Sequence, residues 1–244
     1  MLLQIGRVRA PWQTTESIPA EGGPASIEVA QEFEPALRGI ERASHLVVIA
    51  YLHKADRAVL EALSRKLGHD APVCGVFATR SPSRPNPLSV TMVELVRCDG
   101  LVLHVSPLDL LDATPVVDLK AYSPGWDSVF AARTERRVSS FQLPDSVLIP
   151  FLQRDLRNHM GDLAAAPWPQ AALRAVVRAV RVLAVDPRDP LLCMEVNGCG
   201  MVVDALMGMT GALFASGRIA VVEDGGVRRV RFVLGDRRHV ESIE

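Results

Sequence analysis

The chain has 244 residues, of which 48% are hydrophobic and 23% charged, and its formal net charge is −1. That balance excludes a disordered, collagenous or coiled-coil protein, and the length suffices for one large domain or two modest ones whose cores need neither disulfide nor metal. Near-neutral charge gives no global attraction to phosphate, so a nucleic-acid partner would need a local basic patch.

The N-terminus, MLLQIGRVRAPW, lacks the basic start, apolar stretch and small-residue cleavage site of a secretion signal, so a cytoplasmic location is expected. No apolar run approaches the roughly 20 residues that a bilayer requires. The longest candidate, LVVIAYL at 46–52, is bounded by His45 and His53. Short apolar or β-branched runs predict strands at VRA before Pro11 and over 46–52, 73–80, 90–98 and 101–108. Their density predicts an antiparallel sheet or barrel. Asp99-Gly100 separates two of them at the length of a type I′ hairpin turn. In KADRAVLEALSRKLG, Val59, Leu60, Leu63 and Leu67 follow helical spacing and Gly68 supplies a stop, which predicts one helix among the strands.

The texture changes near residue 142. VLIPFLQRDLRNHM reads as helix and DLAAAPWPQ as a linker, so the expected organisation is a barrel over 1–141, a helical linker over 142–169 and a smaller α+β domain over 170–244. Leu173, Val176, Val177 and Val180 form an apolar helical stripe, with Arg174, Arg178 and Arg181 on a solvated face. RIAVVEDGGVRRVRFVLGD reads as two strands around a Gly-Gly turn. The four cysteines, Cys74, Cys98, Cys193 and Cys199, show neither disulfide-scaffold nor zinc-knuckle spacing and read as reduced thiols. Strand alternation would turn Cys193 into the core.

Two segments carry candidate chemistry. In GVFATRSPSRPNP, Pro82, Pro85 and Pro87 stiffen a loop that presents Arg80 and Arg84, whose planar forks suit carboxylate or phosphate, together with the Asn86 amide. In SPLDLLDATPVVDLKAY, Asp109, Asp112 and Asp118 offer carboxylates to hydroxyls or cationic groups, while Asp112 equally suits capping of the turn before Pro115. His53 and Lys54 end an apolar strand and form a third pair. No G-x-G-x-x-G follows a strand, so a nucleotide-binding crossover fold is not expected.

ATRSPSRPNP and LDLLDATPVVDLKAY, preceded by the strand ending at His53, together resemble the TsaA-like family, whose best-known members are tRNA threonylcarbamoyladenosine methyltransferases. The resemblance covers about residues 3–137. It implies a small β-barrel that binds S-adenosylmethionine, transfers its methyl to the exocyclic nitrogen of threonylcarbamoyladenosine beside the anticodon of tRNA, and forms a homodimer. Carried over by position, the cofactor site comprises Pro19, Ala20, Glu21, His53, Lys54, Arg80, Val90, Leu108, Asp109, Leu110 and Leu111, with Arg84, Asn86 and Asp112 toward substrate. Members often have Pro-Arg-Gln where this chain has Pro19-Ala20-Glu21, and Gly where it has Ser89 and Ala113. Asp112, Asp118 or water remain open as proton acceptor. Residues 196–219, VNGCGMVVDALMGMTGALFASGRI, resemble more weakly the formylmethanofuran dehydrogenase E-type family, but without its His-x-Cys element. No metal is therefore expected at Cys199. Two alternatives stand beside the tRNA enzyme: a small-molecule methyltransferase of the same fold, and a cofactor-binding sensor or accessory protein docked on a partner enzyme.

Overall fold

The computed structural model describes residues 2–19, 21–63, 73–129, 139–222 and 228–243. The chain divides into two compact units, Met1–Arg65 with Pro72–Ala131, and Lys66–Ala71 with Ala132–Glu244.

In the first unit, strands β1 (Gly6–Arg9), β2 (Gly23–Val29), β3 (His45–Tyr51), β4 (Glu61–Ala62), β5 (Cys74–Gly75), β6 (Leu88–Asp99), β7 (Val102–Leu108) and β8 (Pro115–Ala121) follow in order, and a helical turn, α1 (Pro124–Asp127), comes last. Six of the strands close an antiparallel barrel in the order β1-β2-β7-β6-β3-β8. Two-residue alternation fills it: Leu46, Val48 and Ala50 of β3 point inward with Val8, Ile27, Val93, Leu103, Val105 and Val116. Closure leaves the six strands no unpaired edge.

The hairpin expected at Asp99-Gly100 forms, one residue later than expected. Asp99 pairs with Val102 and stays in the strand, where Arg97 holds its carboxylate at 2.7 Å, so Gly100 and Leu101 make the turn. Only Gly100 takes a positive φ, +60°, which is the sign pattern of a type II′ turn.

The helix expected over 54–68 does not form in its described part. The Asp56 carboxylate accepts the Ala58 N–H at 2.8 Å, and the Leu60 carbonyl accepts Val76 N–H at 2.9 Å, so local and cross-chain hydrogen bonds replace the helical ladder. Glu61 and Ala62 instead pair with Cys74 and Gly75, and Leu60, expected on the buried stripe, is 64% exposed. Leu67 and Gly68 lie outside the described residues. The strand expected over 73–80 is cut to Cys74–Gly75 by the tight helical turn Val76–Ala78.

The second unit contains α2 (Asp145–Met160), α3 (Pro167–Leu183), β9 (Cys193–Asn197), α4 (Gly200–Thr210), β10 (Ile219–Val221), β11 (Arg229–Leu234) and β12 (Arg237–Ser242). Its sheet runs β10-β9-β11-β12, with β10 parallel to β9 across the α4 connection and the other pairs antiparallel. The segment read as a linker is part of this unit's core. Leu148, Leu152 and Leu156 of α2 recur at helical spacing and are buried with Leu173, Val176 and Val180 of α3 and Leu206 of α4.

The strands β10 and β11 do not form the hairpin expected of them. They flank β9 on opposite sides, and β11 turns instead into β12 at Gly235-Asp236; Gly225-Gly226 and Val227 lie outside the described residues. On β9, Met194 and Val196 take the core positions, which leaves Cys193 half-buried on the other parity. The α3 arginines are more engaged than a solvated face implies, since Arg178 pairs with Glu241 at 2.6 Å and Arg181 donates to the Leu143 carbonyl and to Asp145.

Candidate functional site at one rim of the barrel

Because neighbouring strands are antiparallel, the ends of β1, β3 and β7 and the starts of β2, β6 and β8 meet at a single rim. Those are the ends that carry residues 10–13, 52–54 and 109–111, and 19–22, 80–87 and 111–114. Scattered motif segments thereby become neighbours.

A run of contacts joins them. Arg80 donates from Nη1 to the Val90 carbonyl at 3.2 Å, and next along β6 the Thr91 hydroxyl donates to Asp109 Oδ1 at 3.3 Å. Gly22, at φ +73°, packs so closely on the Leu108–Asp109 backbone that a Cβ would stand 2.7 Å from the Leu108 carbonyl carbon. Its N–H closes a turn onto the Pro19 carbonyl at 2.8 Å. Leu108 and Leu110 face the core, whereas Asp109 is exposed and Leu111 half-buried. Trp12 Nε1 donates to the Leu110 carbonyl at 2.6 Å. Lys54 reaches the Gln13 carbonyl at 3.2 Å.

The structure therefore brings together Pro19, Glu21, Lys54, Arg80, Val90 and Leu108 to Leu111. His53 follows the end of β3 with an exposed side chain. Ala20 lies outside the described residues.

The residues expected toward substrate are placed differently. Arg84 gives its donors to its own loop: Nε to the Ser81 carbonyl at 2.9 Å, and Nη2 to those of Val76 and Thr79 at 2.6 and 2.5 Å. It clamps the proline-rich segment by tying three of its carbonyls to one guanidinium. Asp112 accepts the Ala10 N–H at 3.2 Å and the Gln13 amide at 3.3 Å. These bonds, the Ala10 N–H foremost, hold its carboxyl below the usual carboxylate range. Its hydrogen bonds run to the segment after β1, so Asp112 braces that segment where capping of the turn before Pro115 is the expectation from sequence. Asn86 has an exposed side chain, and its carbonyl accepts Leu88 N–H at 2.8 Å. Asp118 is paired with Lys120 at 2.7 Å.

Of the two family glycine positions, Ser89 lies in regular strand. Ala113 keeps a φ of +58°, the conformation for which glycine is suited, and the loop has not shifted to avoid it. Sequence reasoning misses Trp12, Gln13 and Gly22. Their signals are a tryptophan directly after Pro11 and a Gly-Gly pair at a strand start.

The donor set bears on S-adenosylmethionine through one observation. Both carboxylate oxygens of Glu21 are buried, and neither has a hydrogen-bond partner. A buried unpartnered carboxylate is costly, and a ligand rich in N–H and O–H groups is what relieves it. The residues fit such a ligand. In the other unit, Cys199 precedes the first residue of α4 and packs against the core, and among the described residues no three His, Cys, Asp or Glu side chains cluster as a metal site.

A family model described as the tRNA-methyltransferase O N-terminal domain matches residues 7–128. A probable S-adenosyl-L-methionine-binding protein of Archaeoglobus fulgidus is 35% identical over 237 residues, covering 92% of this chain and 62% of that protein. One of the same description from Methanothermobacter thermautotrophicus is 40% identical over 129 residues, 51% of this chain and 91% of its own length. The tRNA (adenine(37)-N6)-methyltransferase of Escherichia coli is 36% identical over 139 residues, 52% of this chain and 59% of that enzyme. The chain thus spans less than two thirds of the Archaeoglobus and Escherichia relatives. The match runs through all six strands whose common rim gathers these residues, and on that ground the chain belongs to the tRNA-methyltransferase O N-terminal domain family.

Proposed function

We infer that this chain is an S-adenosylmethionine-dependent methyltransferase acting on the exocyclic nitrogen of threonylcarbamoyladenosine beside the anticodon of tRNA. The family match across the barrel carries the reading, because that barrel's rim assembles the residues expected to hold the cofactor.

Bound S-adenosylmethionine supplies an electrophilic methyl on a sulfonium that is its own leaving group. The chain's contribution is then chiefly positioning. Arg80 fixed on Val90, Asp109 fixed by Thr91 and Lys54 fixed on Gln13 present pre-set polar groups, and the Arg84-clamped loop holds its shape before any ligand arrives. Asp112, whose carboxyl the Ala10 N–H holds below the usual carboxylate range, is a poor proton acceptor, and Asp118 or solvent would take the proton released by the substrate nitrogen.

The reading includes a homodimer in the cytoplasm. On the barrel exterior, Val90 and Met92 of β6 are 44% and 42% exposed, an apolar pair suited to a symmetric contact. The deciding experiment is nucleoside mass spectrometry of tRNA from cells with and without the protein. Loss of methylated threonylcarbamoyladenosine is expected, and an unchanged level overturns the reading.

A further inference from the structure

We propose that the Glu21 carboxylate receives the two hydroxyls of a vicinal diol, the ribose of the nucleoside cofactor, one on each oxygen. The proposal rests on the cofactor reading above and goes beyond it by giving a bond to a residue at which this chain carries an acid where members often carry glutamine.

Glu21 sits between the Pro19 carbonyl that closes its turn and Gly22, which is wedged on the Leu108–Asp109 backbone. The backbone is thus held from both sides, and the side chain is committed to the place where its two oxygens are buried without a partner. Elsewhere at the rim the carboxylates are served: Asp112 by Ala10 and Gln13, Asp109 by Thr91. An arrangement that leaves one anion dry and unserved is stable only against a folding energy gained elsewhere, and such imbalances collect at binding sites.

What Glu21 lacks is two donors, one for each oxygen. A vicinal diol delivers two O–H groups side by side and brings no second charge into the buried space. An ammonium would also satisfy the carboxylate, but at the further cost of stripping water from a cation. Acidic side chains meet ribose hydroxyls in the same way at the ends of strands in unrelated nucleotide sites.

The test is calorimetry with S-adenosylhomocysteine, 5′-methylthioadenosine and 2′-deoxy-5′-methylthioadenosine, on wild type, Glu21→Gln and Glu21→Ala. Methylthioadenosine keeps the diol and lacks the amino-acid end, so it isolates the contact. Wild type should prefer methylthioadenosine to its 2′-deoxy counterpart by about tenfold to a hundredfold, the worth of a hydrogen bond to a charged acceptor. In Glu21→Ala the preference should fall to about one, with Glu21→Gln between, because the amide keeps a single acceptor oxygen. Removing the unserved charge should leave the melting temperature of ligand-free Glu21→Gln equal to or above that of wild type.

A preference unchanged in Glu21→Ala overturns the proposal. So does a loss of affinity confined to S-adenosylhomocysteine, which would assign Glu21 to the ammonium, and so does a lower melting temperature of ligand-free Glu21→Gln. Failure of wild type to bind S-adenosylhomocysteine or methylthioadenosine overturns the cofactor reading itself, an outcome distinct from these three.

Discussion

Ala113 holds a φ of +58° beside the buried Thr114, where its Cβ crowds the following carbonyl. Relief of that strain outweighs the extra chain entropy that glycine brings to the unfolded state, so Ala113→Gly should stabilise the barrel by about 0.5–1 kcal/mol. Denaturant unfolding followed by tryptophan fluorescence would measure it. Asp112 gives a pH signature. Its native pKa lies below its ordinary value of 3.8, so its contribution is fully present above that value and is lost as pH falls through the native one. Asp112→Ala should therefore destabilise by about 1 kcal/mol at pH 7, and the gap from wild type should close in acid below the ordinary value. A pH-independent gap would assign the loss to packing. Arg84→Lys keeps the charge but loses the fork that spans three carbonyls. Cofactor affinity should fall as the loop loosens, while the salt slope of tRNA binding stays put. A slope shallower by about 1 in Arg84→Gln, which removes the charge, would instead mark Arg84 as a phosphate contact.

At the scale of elements, a single close approach sets how two helices of the second unit meet. Gly208 of α4 lies against His159 of α2 so tightly that a Cβ would stand 2.7 Å from the His159 Cβ. Gly208→Ala must push the helices apart and disturb the leucines of α2, and it should cost about 1–3 kcal/mol in the unfolding of that unit. S-adenosylhomocysteine binding at the barrel rim should be unaffected, because the two cores are separate sets of residues. Calorimetric scanning with and without the ligand checks both halves. Alternation with a period of two made β1, β3, β6 and β7 legible in the sequence, and the 3.6 period made α3 legible. It failed over 54–63, where the apolar spacing was helical but Asp56 and the Leu60 carbonyl found other hydrogen bonds. It also failed for β10 and β11, whose adjacency in sequence says nothing of the β9 strand that fits between them. For α2, the polar residues of its outer face hid the three leucines that tie it into a core.

For the whole molecule, the assembly can be tested on the barrel exterior. Met92→Glu places a charge on the exposed apolar pair that it forms with Val90, so light scattering at micromolar concentration should show dimer for wild type and monomer for the variant. A monomeric wild type would remove the dimer from the reading.

The sequence by itself determined which segments carry the chemistry. A proline-stiffened Arg-Asn loop, a segment with three aspartates and a strand-end His-Lys pair are local in the chain, and their residue types limit what they can bind. Short apolar strands narrowed the fold to an antiparallel sheet or barrel, and the family resemblance implied the barrel. Only the tertiary structure decided how those segments are used. Antiparallel closure sends alternate strands in opposite directions, so six distant strand ends meet at one rim, a fact contained in no single segment. There, Arg84 and Asp112 find backbone partners that hold the rim together, while the two oxygens of Glu21 are buried without one. Whether a polar side chain serves structure or binding depends on which donors and acceptors the fold brings to it, and the partners of Arg84 and Asp112 are set by packing between distant strands or within a folded loop, where sequence spacing carries no signal.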